Sequence, residues 1–248
     1  MLASQIGERG YMVTNPSVLI LIPAFNEENR IESVITRIRN YVPMADILVV
    51  NDGSTDGTEA VCRRAGAVVL SHSFNLGVGS ALQTGYKYAV REGYEYIIQL
   101  DADGQHDPAY LPAFYTTLVN TDADVVIGSR FLANNDNSMT FPRRMGGRIF
   151  SLLLSILIKE KITDPTSGFR GMKRRVLDFC VGDLYGFDYP DADFLLTLHR
   201  SGFTLVEIPM KVAARISGQS QHRGLKPVYY VLKMFLSIFI ILLRKKSV

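Results

Sequence analysis

Cysteine is nearly absent: Cys62 and Cys180 are the only two in 248 residues. They stand far apart, each inside a helix-like apolar pattern. Buried free thiols are therefore expected rather than a disulfide or a metal site, which suits a reducing compartment. Histidine is equally sparse, and His72, His106, His199 and His222 show no metal-ligand spacing. His106 is expected as a solvent-facing turn residue. An excess of one charge is also missing: 27 Lys and Arg face 24 Asp and Glu, for a net +3 and a pI near 8.8. No basic stretch is interleaved with aromatics, so nucleic acid is excluded as a partner. Residues 1–16 hold no apolar run fit for a signal peptide, and the chain has neither repeats nor a low-complexity linker.

What is present is a regular alternation. The length suits one large domain, and 47% hydrophobic residues supply a core. Short apolar runs at 18–22, 47–50, 67–70, 96–100 and 124–127 read as strands. Between them lie helical patterns: Ile31, Val34, Ile35 and Ile38, then 58–65, 79–92 and a helix opening at Pro108. Apolar strands without alternation, separated by helices, predict a mostly parallel sheet covered on both faces, a doubly wound α/β architecture. After Arg130 the regularity fades into a polar loop at 132–141, an apolar run at 149–158 and a turn at Asp164-Pro165. A strand at 167–173, a helix at 194–200 and a strand at 204–208 complete this half.

The C-terminal stretch 227–243 is seventeen residues with one charge, Lys233, followed by Arg244-Lys245-Lys246. Its uninterrupted part is too short to span a bilayer. A helix over 226–246 lying in a membrane interface, with basic ends reaching anionic headgroups, fits better. The run 149–158 is also apolar, with Arg143, Arg144 and Arg148 before it and Lys159 and Lys161 after it. For that run, a buried core helix serves as well as membrane contact.

The most informative element is Asp101-Ala102-Asp103, set where the fourth strand ends. Ligands bind open α/β sheets outside the carboxyl ends of the strands. Side chains two apart in an extended segment share a face, so both carboxylates could approach one cation. Mg²⁺ takes one or two carboxylates and leaves other positions to water and ligand phosphates. Asp107-Pro108 then reads as a helix start. Other strand ends carry Pro23-Ala24-Phe25-Asn26-Glu27 and Asn51-Asp52-Gly53-Ser54, and Asn75-Leu76-Gly77-Val78-Gly79 opens the third helix. Asp52 could accept from a base N–H, Glu27 could hold a ribose, and the glycines would let backbone approach a ligand closely.

In this order, these segments resemble the inverting glycosyltransferases of family 2, with the GT-A fold. Gly128-Ser129-Arg130-Phe131, Asp164-Pro165-Thr166-Ser167-Gly168-Phe169-Arg170 and Arg215-Ile216-Ser217-Gly218-Gln219-Ser220 bring the likeness closest to the polyprenyl-phosphate sugar synthases, the group containing dolichyl-phosphate mannosyltransferase. The resemblance implies a GT-A-like domain over 17–222, with a nucleotide-binding half (17–131) and an acceptor-side half (132–222), before the interfacial helix. It implies a nucleoside-diphosphate sugar, uridine favoured over guanosine, held by Pro23, Ala24, Phe25, Glu27, Asp52, Gly79, Asp101, Ala102 and Asp103. Mg²⁺ or Mn²⁺ would sit on Asp101, Asp103 and Gln105. Arg130, one of Arg143 and Arg144, and Arg215 fall at positions similar to those that bind donor or acceptor phosphates, and all four are candidates for the acceptor phosphate. Val78 is a departure, since many relatives carry Lys or Arg there.

The implied activity is inverting sugar transfer to polyprenyl phosphate, for cell-envelope glycan or glycoconjugate synthesis. It would run at the cytoplasmic face of a membrane, with the protein peripheral or monotopic. A small membrane-protein partner and a homo-oligomer are both open. Asp101, Asp103, Arg215, Asp191 and Asp193 are the catalytic candidates. A phosphate monoester, with a second pKa of about 6, is already ionised and needs no base. A saccharide hydroxyl would need one, and Asp191 or Asp193 would supply it; both also suit the start of a helix. A catalytically silent nucleotide-sugar-binding or membrane scaffold protein is the remaining alternative, and the intact Asp101/Asp103 pair argues against it.

Overall fold

The computed structural model describes residues 18–132, 141–182, 191–212 and 226–243. Seven strands form one sheet: β1 (Val18–Ala24), β2 (Asp46–Asn51), β3 (Val68–Ser71), β4 (Tyr96–Gln99), β5 (Val125–Ser129), β6 (Arg170–Lys173) and β7 (Leu205–Pro209). Their spatial order is β3-β2-β1-β4-β6-β5-β7. The chain winds outward from β1 through β2 to β3, then returns to place β4 on the other side of β1. That reversal makes the carboxyl ends of β1 and β4 a topological switch point, where such sheets bind ligands. Six strands run the same way. Only β6 is reversed, paired antiparallel to both β4 and β5.

The helices are α1 (Ile31–Tyr41), α2 (Thr58–Arg64), α3 (Val78–Arg91), α4 (Leu111–Asn120), α5 (Phe141–Ile158), α6 (Arg174–Cys180), α7 (Ala192–Arg200) and α8 (Lys226–Leu243). The pleat sorts the core by its two-residue period. Leu19, Leu21, Leu48 and Val50 face a layer built from α3, α5, α6, α7 and α8. Ile20, Ile22, Ile47 and Val49 face α1, α2 and α4. Gly85 in α3 is required by closeness: a Cβ there would overlap the Leu21 side chain.

Three elements differ from the sequence reading. The fifth helix starts at Phe141, well before the apolar run at 149, so residue 141 of the expected polar loop is helical. Helix α6 is foreshadowed only by the helix-like apolar pattern around Cys180, for which the reading sets no bounds. The expected C-terminal helix is present, but Met234 and Ile238 are buried in the main core, so α8 is packed on the domain along one face. Cys62 and Cys180 are buried and unbridged, as expected, and burial pushes the Cys62 thiol up to about 11. Among the described residues no helix is long and apolar enough to cross a membrane.

Candidate active site

The reversed strand β6 brings two distant motifs together. Its register sets Gln99 opposite Arg170, so the segment entering β6 runs past the end of β4 and Asp101. Gln99 Nε2 donates to Gly168 O (3.2 Å), and Tyr86 OH donates to Gln99 Oε1. Gly168 presents its bare Cα to the carboxylate: an added Cβ would stand 3.0 and 3.1 Å from Asp101 Oδ1 and Oδ2. Asp103 Oδ1 accepts from Gln105 N (3.0 Å), which folds the turn around Gly104 at φ +76°. Asp107 caps the next helical turn by accepting from Ala109 N (3.1 Å), with Pro108 following, as the sequence implies.

His106 corrects an expectation. It is buried rather than solvent-facing, with its ring 5.1 Å from that of Phe169. Its Nδ1 accepts from Asp101 N at 3.1 Å. An accepting Nδ1 carries no proton, so the 3.7 Å approach to Asp101 Oδ2 is not a charge pair and Nδ1 is not free for a metal. His106 instead fixes the backbone from which the Asp101 carboxylate projects. Among the described residues no three His, Cys, Asp or Glu side chains converge as metal ligands. Two part-exposed carboxylates, Asp101 and Asp103, are oxygen donors of the type a hard cation takes when water and phosphate fill its other positions.

The ends of β1 and β2 are laced into one cradle. Asn26, at φ +55°, donates from its N–H to Ser54 Oγ (2.9 Å) and accepts from Thr55 N (2.9 Å). Glu27 N–H donates to Thr58 Oγ1 (2.8 Å), while its carboxylate pairs with Arg30 Nε at 2.6 Å. Pro23 and Ala24 close β1, Phe25 is exposed at the rim, and Gly79 is buried in α3. Asp52 is buried. Its Oδ1 accepts from Leu76 N (2.9 Å) and meets His72 Nδ1 (2.7 Å), and its Oδ2 accepts from Gly77 N (2.8 Å). His72 Nε2 in turn meets Thr84 Oγ1 at 2.9 Å. The Asp52 carboxylate thus holds the loop that opens α3. His72 was missed by the sequence reading because its partners come from a different strand end and a helix.

Arg130 lies at the same edge, buried, and its guanidinium is claimed by Asp164. Nε and Nη2 donate to the two carboxylate oxygens at 2.6 Å each, and Nη2 also reaches Thr166 Oγ1 (2.9 Å). Behind the pair stands Glu207 of β7, another residue the sequence reading passed over. It accepts from Thr163 N (2.8 Å), Thr163 Oγ1 (2.8 Å) and Asp164 N (2.7 Å). Burial pushes its carboxyl up, against the pull of those donors. Arg130 and Glu207 together hold the 163–168 turn that delivers Gly168 to Asp101.

The remaining candidates separate. Arg143 and Arg144 lie in the first turn of α5. Asp191 is at the N-cap position of α7 with no capping bond from its side chain. Asp193 is buried in the first turn; its Oδ2 accepts from Ser237 Oγ of α8 (2.6 Å) and its Oδ1 from Phe194 N (2.9 Å). Burial raises its pKa. Arg215 lies outside the described residues. The described chain before it ends at Val212, which bridges antiparallel to His106.

Residues 19–180 match the family described as glycosyl transferase family 2. The chain is 32% identical over 217 residues to an undecaprenyl-phosphate mannosyltransferase of Micrococcus luteus, covering 84% of this chain and 88% of that one. It is 29% identical over 216 residues to polyprenol monophosphomannose synthase of Mycolicibacterium smegmatis, covering 83% and 81%. Glucosyl-3-phosphoglycerate synthase from Mycobacterium tuberculosis, crystallised with Mn²⁺, uridine diphosphate and phosphoglyceric acid, shares the fold. Its TM-score is 0.69 at 22% identity, over 94% of this chain and 81% of that one. The family match runs from β1 to the end of α6 and takes in the whole Asp101–Gly168 contact, and the chain belongs to glycosyl transferase family 2.

Proposed function

We propose that this glycosyltransferase moves a sugar, with inversion, from a nucleoside diphosphate to a polyprenyl phosphate at a membrane surface. The observation that carries the reading is the pair Asp101 and Asp103 at the switch point, with the Asp101 carboxylate facing the bare Cα of Gly168. The relatives named for undecaprenyl-phosphate and polyprenol-phosphate products support the acceptor class.

Asp101, Asp103 and Gln105 would hold Mg²⁺ or Mn²⁺, whose charge stabilises the leaving diphosphate. Pro23 to Glu27, Gly79 and Ala102 would border the nucleoside. Asp52 bears on it through the 72–77 loop, keeping a lone pair of Oδ2 for a base N–H among the described contacts. Arg215, Arg143 and Arg144 are the cations for the acceptor phosphate, where guanidinium gives bidentate contact. Arg130 acts through Asp164, by shaping the turn beside Asp101. A phosphate acceptor attacks without a base, which agrees with an Asp193 that is buried and bonded to Ser237. The domain over 17–222 and the helix over 226–246 divide the chain by function, while α8 itself shares the core.

The test pairs uridine- and guanosine-diphosphate sugars with undecaprenyl phosphate and reads organic-extractable labelled product. One donor should give lipid-linked sugar, dependent on Mg²⁺ or Mn²⁺. Turnover onto a soluble saccharide with none onto the lipid would replace the reading by the hydroxyl-acceptor one.

A further inference from the structure

The donors around Asp52 are divided unevenly between its two oxygens. Oδ1 takes His72 Nδ1 (2.7 Å) and Leu76 N (2.9 Å), whereas Oδ2 takes Gly77 N alone (2.8 Å). A carboxylate oxygen has two lone pairs, so Oδ1 is filled and Oδ2 keeps one acceptor position among the described residues. Gly77 borders open space beside that position, since a Cβ built on it would meet no atom within 4 Å. The His72 side chain is 11% exposed and that of Asp52 5%, so water competes little for the bond between them.

His72 is held from several sides. Its backbone N–H donates to Asn51 O at 2.9 Å. Its Nδ1 faces a carboxylate that accepts from two backbone N–H groups as well, and so Nδ1 carries the proton. Nε2 lies 2.9 Å from Thr84 Oγ1 of α3, a hydroxyl that turns to suit the ring. The carboxylate therefore cannot rotate to offer its other oxygen without giving up these bonds. Nucleobases differ in what they bring to such a site. Uracil offers one ring N–H, at N3, with a carbonyl on either side. Guanine offers two donors side by side, N1–H and N2–H, which match both oxygens of an unencumbered carboxylate. With Oδ1 filled, one guanine donor would lose its water and gain no partner, an expensive exchange that uracil avoids.

We infer that His72 is a positioning residue that sets nucleotide specificity: by occupying Oδ1 it makes Asp52 a single-acceptor site that selects a uridine diphosphate over a guanosine diphosphate. This deepens the donor part of the function given above and rests on Asp52 bordering the nucleoside. His72 acts through Asp52 and need not touch the nucleotide itself.

Calorimetric titration of the full chain with uridine diphosphate and with guanosine diphosphate, each with Mg²⁺, tests this without acceptor or turnover. The wild type should bind the uridine nucleotide more tightly. His72→Ala opens Oδ1 and releases the carboxylate, so the ratio of the two affinities should fall by about tenfold or more. His72→Gln keeps side-chain bulk and an amide near the place of Nε2 while still opening Oδ1, and should lower the ratio in a folded protein even where the alanine variant fails to fold. His72→Asn sets its amide nitrogen where Nδ1 stands and should restore most of the ratio. Circular dichroism and thermal melts report the fold of each variant. A His72 that merely supports the loop would weaken both nucleotides alike. An unchanged ratio in His72→Gln, or a wild type that prefers guanosine diphosphate, would therefore overturn the inference and leave the transfer reaction standing. A wild type that binds neither nucleotide would overturn the donor reading above and this inference with it.

Discussion

Asp193 Oδ2 and Ser237 Oγ lie 2.6 Å apart, a hydrogen bond that ties the first turn of α7 to the middle of α8. It joins the start of α7 to the helix whose outer face is apolar. Asp193 is thus a clamp between two helices, buried and already accepting from Ser237 Oγ and the Phe194 N–H.

The clamp predicts an unusual pH dependence. Burial holds the folded-state pKa of Asp193 above its ordinary value. The folded chain therefore keeps the proton longer than the unfolded one, and this group lowers stability as pH rises between the two pKa values. Asp193→Asn should flatten that part of the profile and leave stability at neutral pH equal or higher. Ser237→Ala removes a donor from a buried carboxylate and should cost about 1–3 kcal/mol at neutral pH. Denaturant melts of the three proteins across the acidic range check both. Asp193→Asn should also retain most sugar-transfer activity; its complete loss would restore a base role.

Arg130 and Asp164 are both buried and joined by two 2.6 Å hydrogen bonds. Asp164→Ala leaves a buried guanidinium without its counter-charge, for a loss of about 3–5 kcal/mol. Arg130→Lys keeps the charge but not the fork, and should cost less stability while loosening the turn that carries Gly168. Thermal unfolding alongside turnover separates the two effects: Asp164→Ala should fail mainly in stability, Arg130→Lys mainly in activity.

The Asp101–Asp103 turn was legible because two carboxylates end an unbroken apolar run, and the strand-helix alternation before residue 131 was legible for the same local reason. Strand β6 was seen, yet its direction and neighbours were not, since nothing in Arg170-Gly171-Met172-Lys173 encodes insertion between β4 and β5. Helix α6 is seven residues whose buried side chains are Val176, Leu177 and Cys180, a stripe that marks a helix-like pattern around Cys180 but is too short to set its bounds. Glu207 sits within an apolar strand and takes its meaning from Thr163 and Asp164, more than forty residues away. His106 misled for a related reason: its burial depends on Phe169 and on the return of the chain at Val212.

Gly168 gives a narrow test of the contact that organises the site. A methyl group at this position would stand 3.0 and 3.1 Å from the two Asp101 oxygens, so the carboxylate must shift by a few tenths of an ångström. Gly168→Ala should change the unfolding free energy by no more than a surface substitution does, about 0.5 kcal/mol. Activity should fall by about tenfold or more, with a higher Mg²⁺ or Mn²⁺ requirement, because displaced ligands cost catalysis steeply. Unchanged metal dependence in this variant would detach Asp101 from the metal.

Asp103→Asn and Asp191→Asn together discriminate between the two acceptor chemistries. Asp103 is half-exposed in a turn, so its amide keeps the shape and removes one charge from the cation site. Turnover should drop by about 10²-fold or more, the loss typical of removing one element of electrostatic stabilisation, while the fold is retained. Asp191 stands at the N-cap of α7, where substitution bears on the helix start. A dianionic phosphate acceptor needs no proton removed, so Asp191→Asn should slow transfer far less and leave its dependence on pH through the range near 6 set by the acceptor itself. Product formation measured for both variants over that range decides the matter. If Asp191→Asn is as inactive as Asp103→Asn, the attacking group requires a base, and a sugar hydroxyl replaces the lipid phosphate as acceptor.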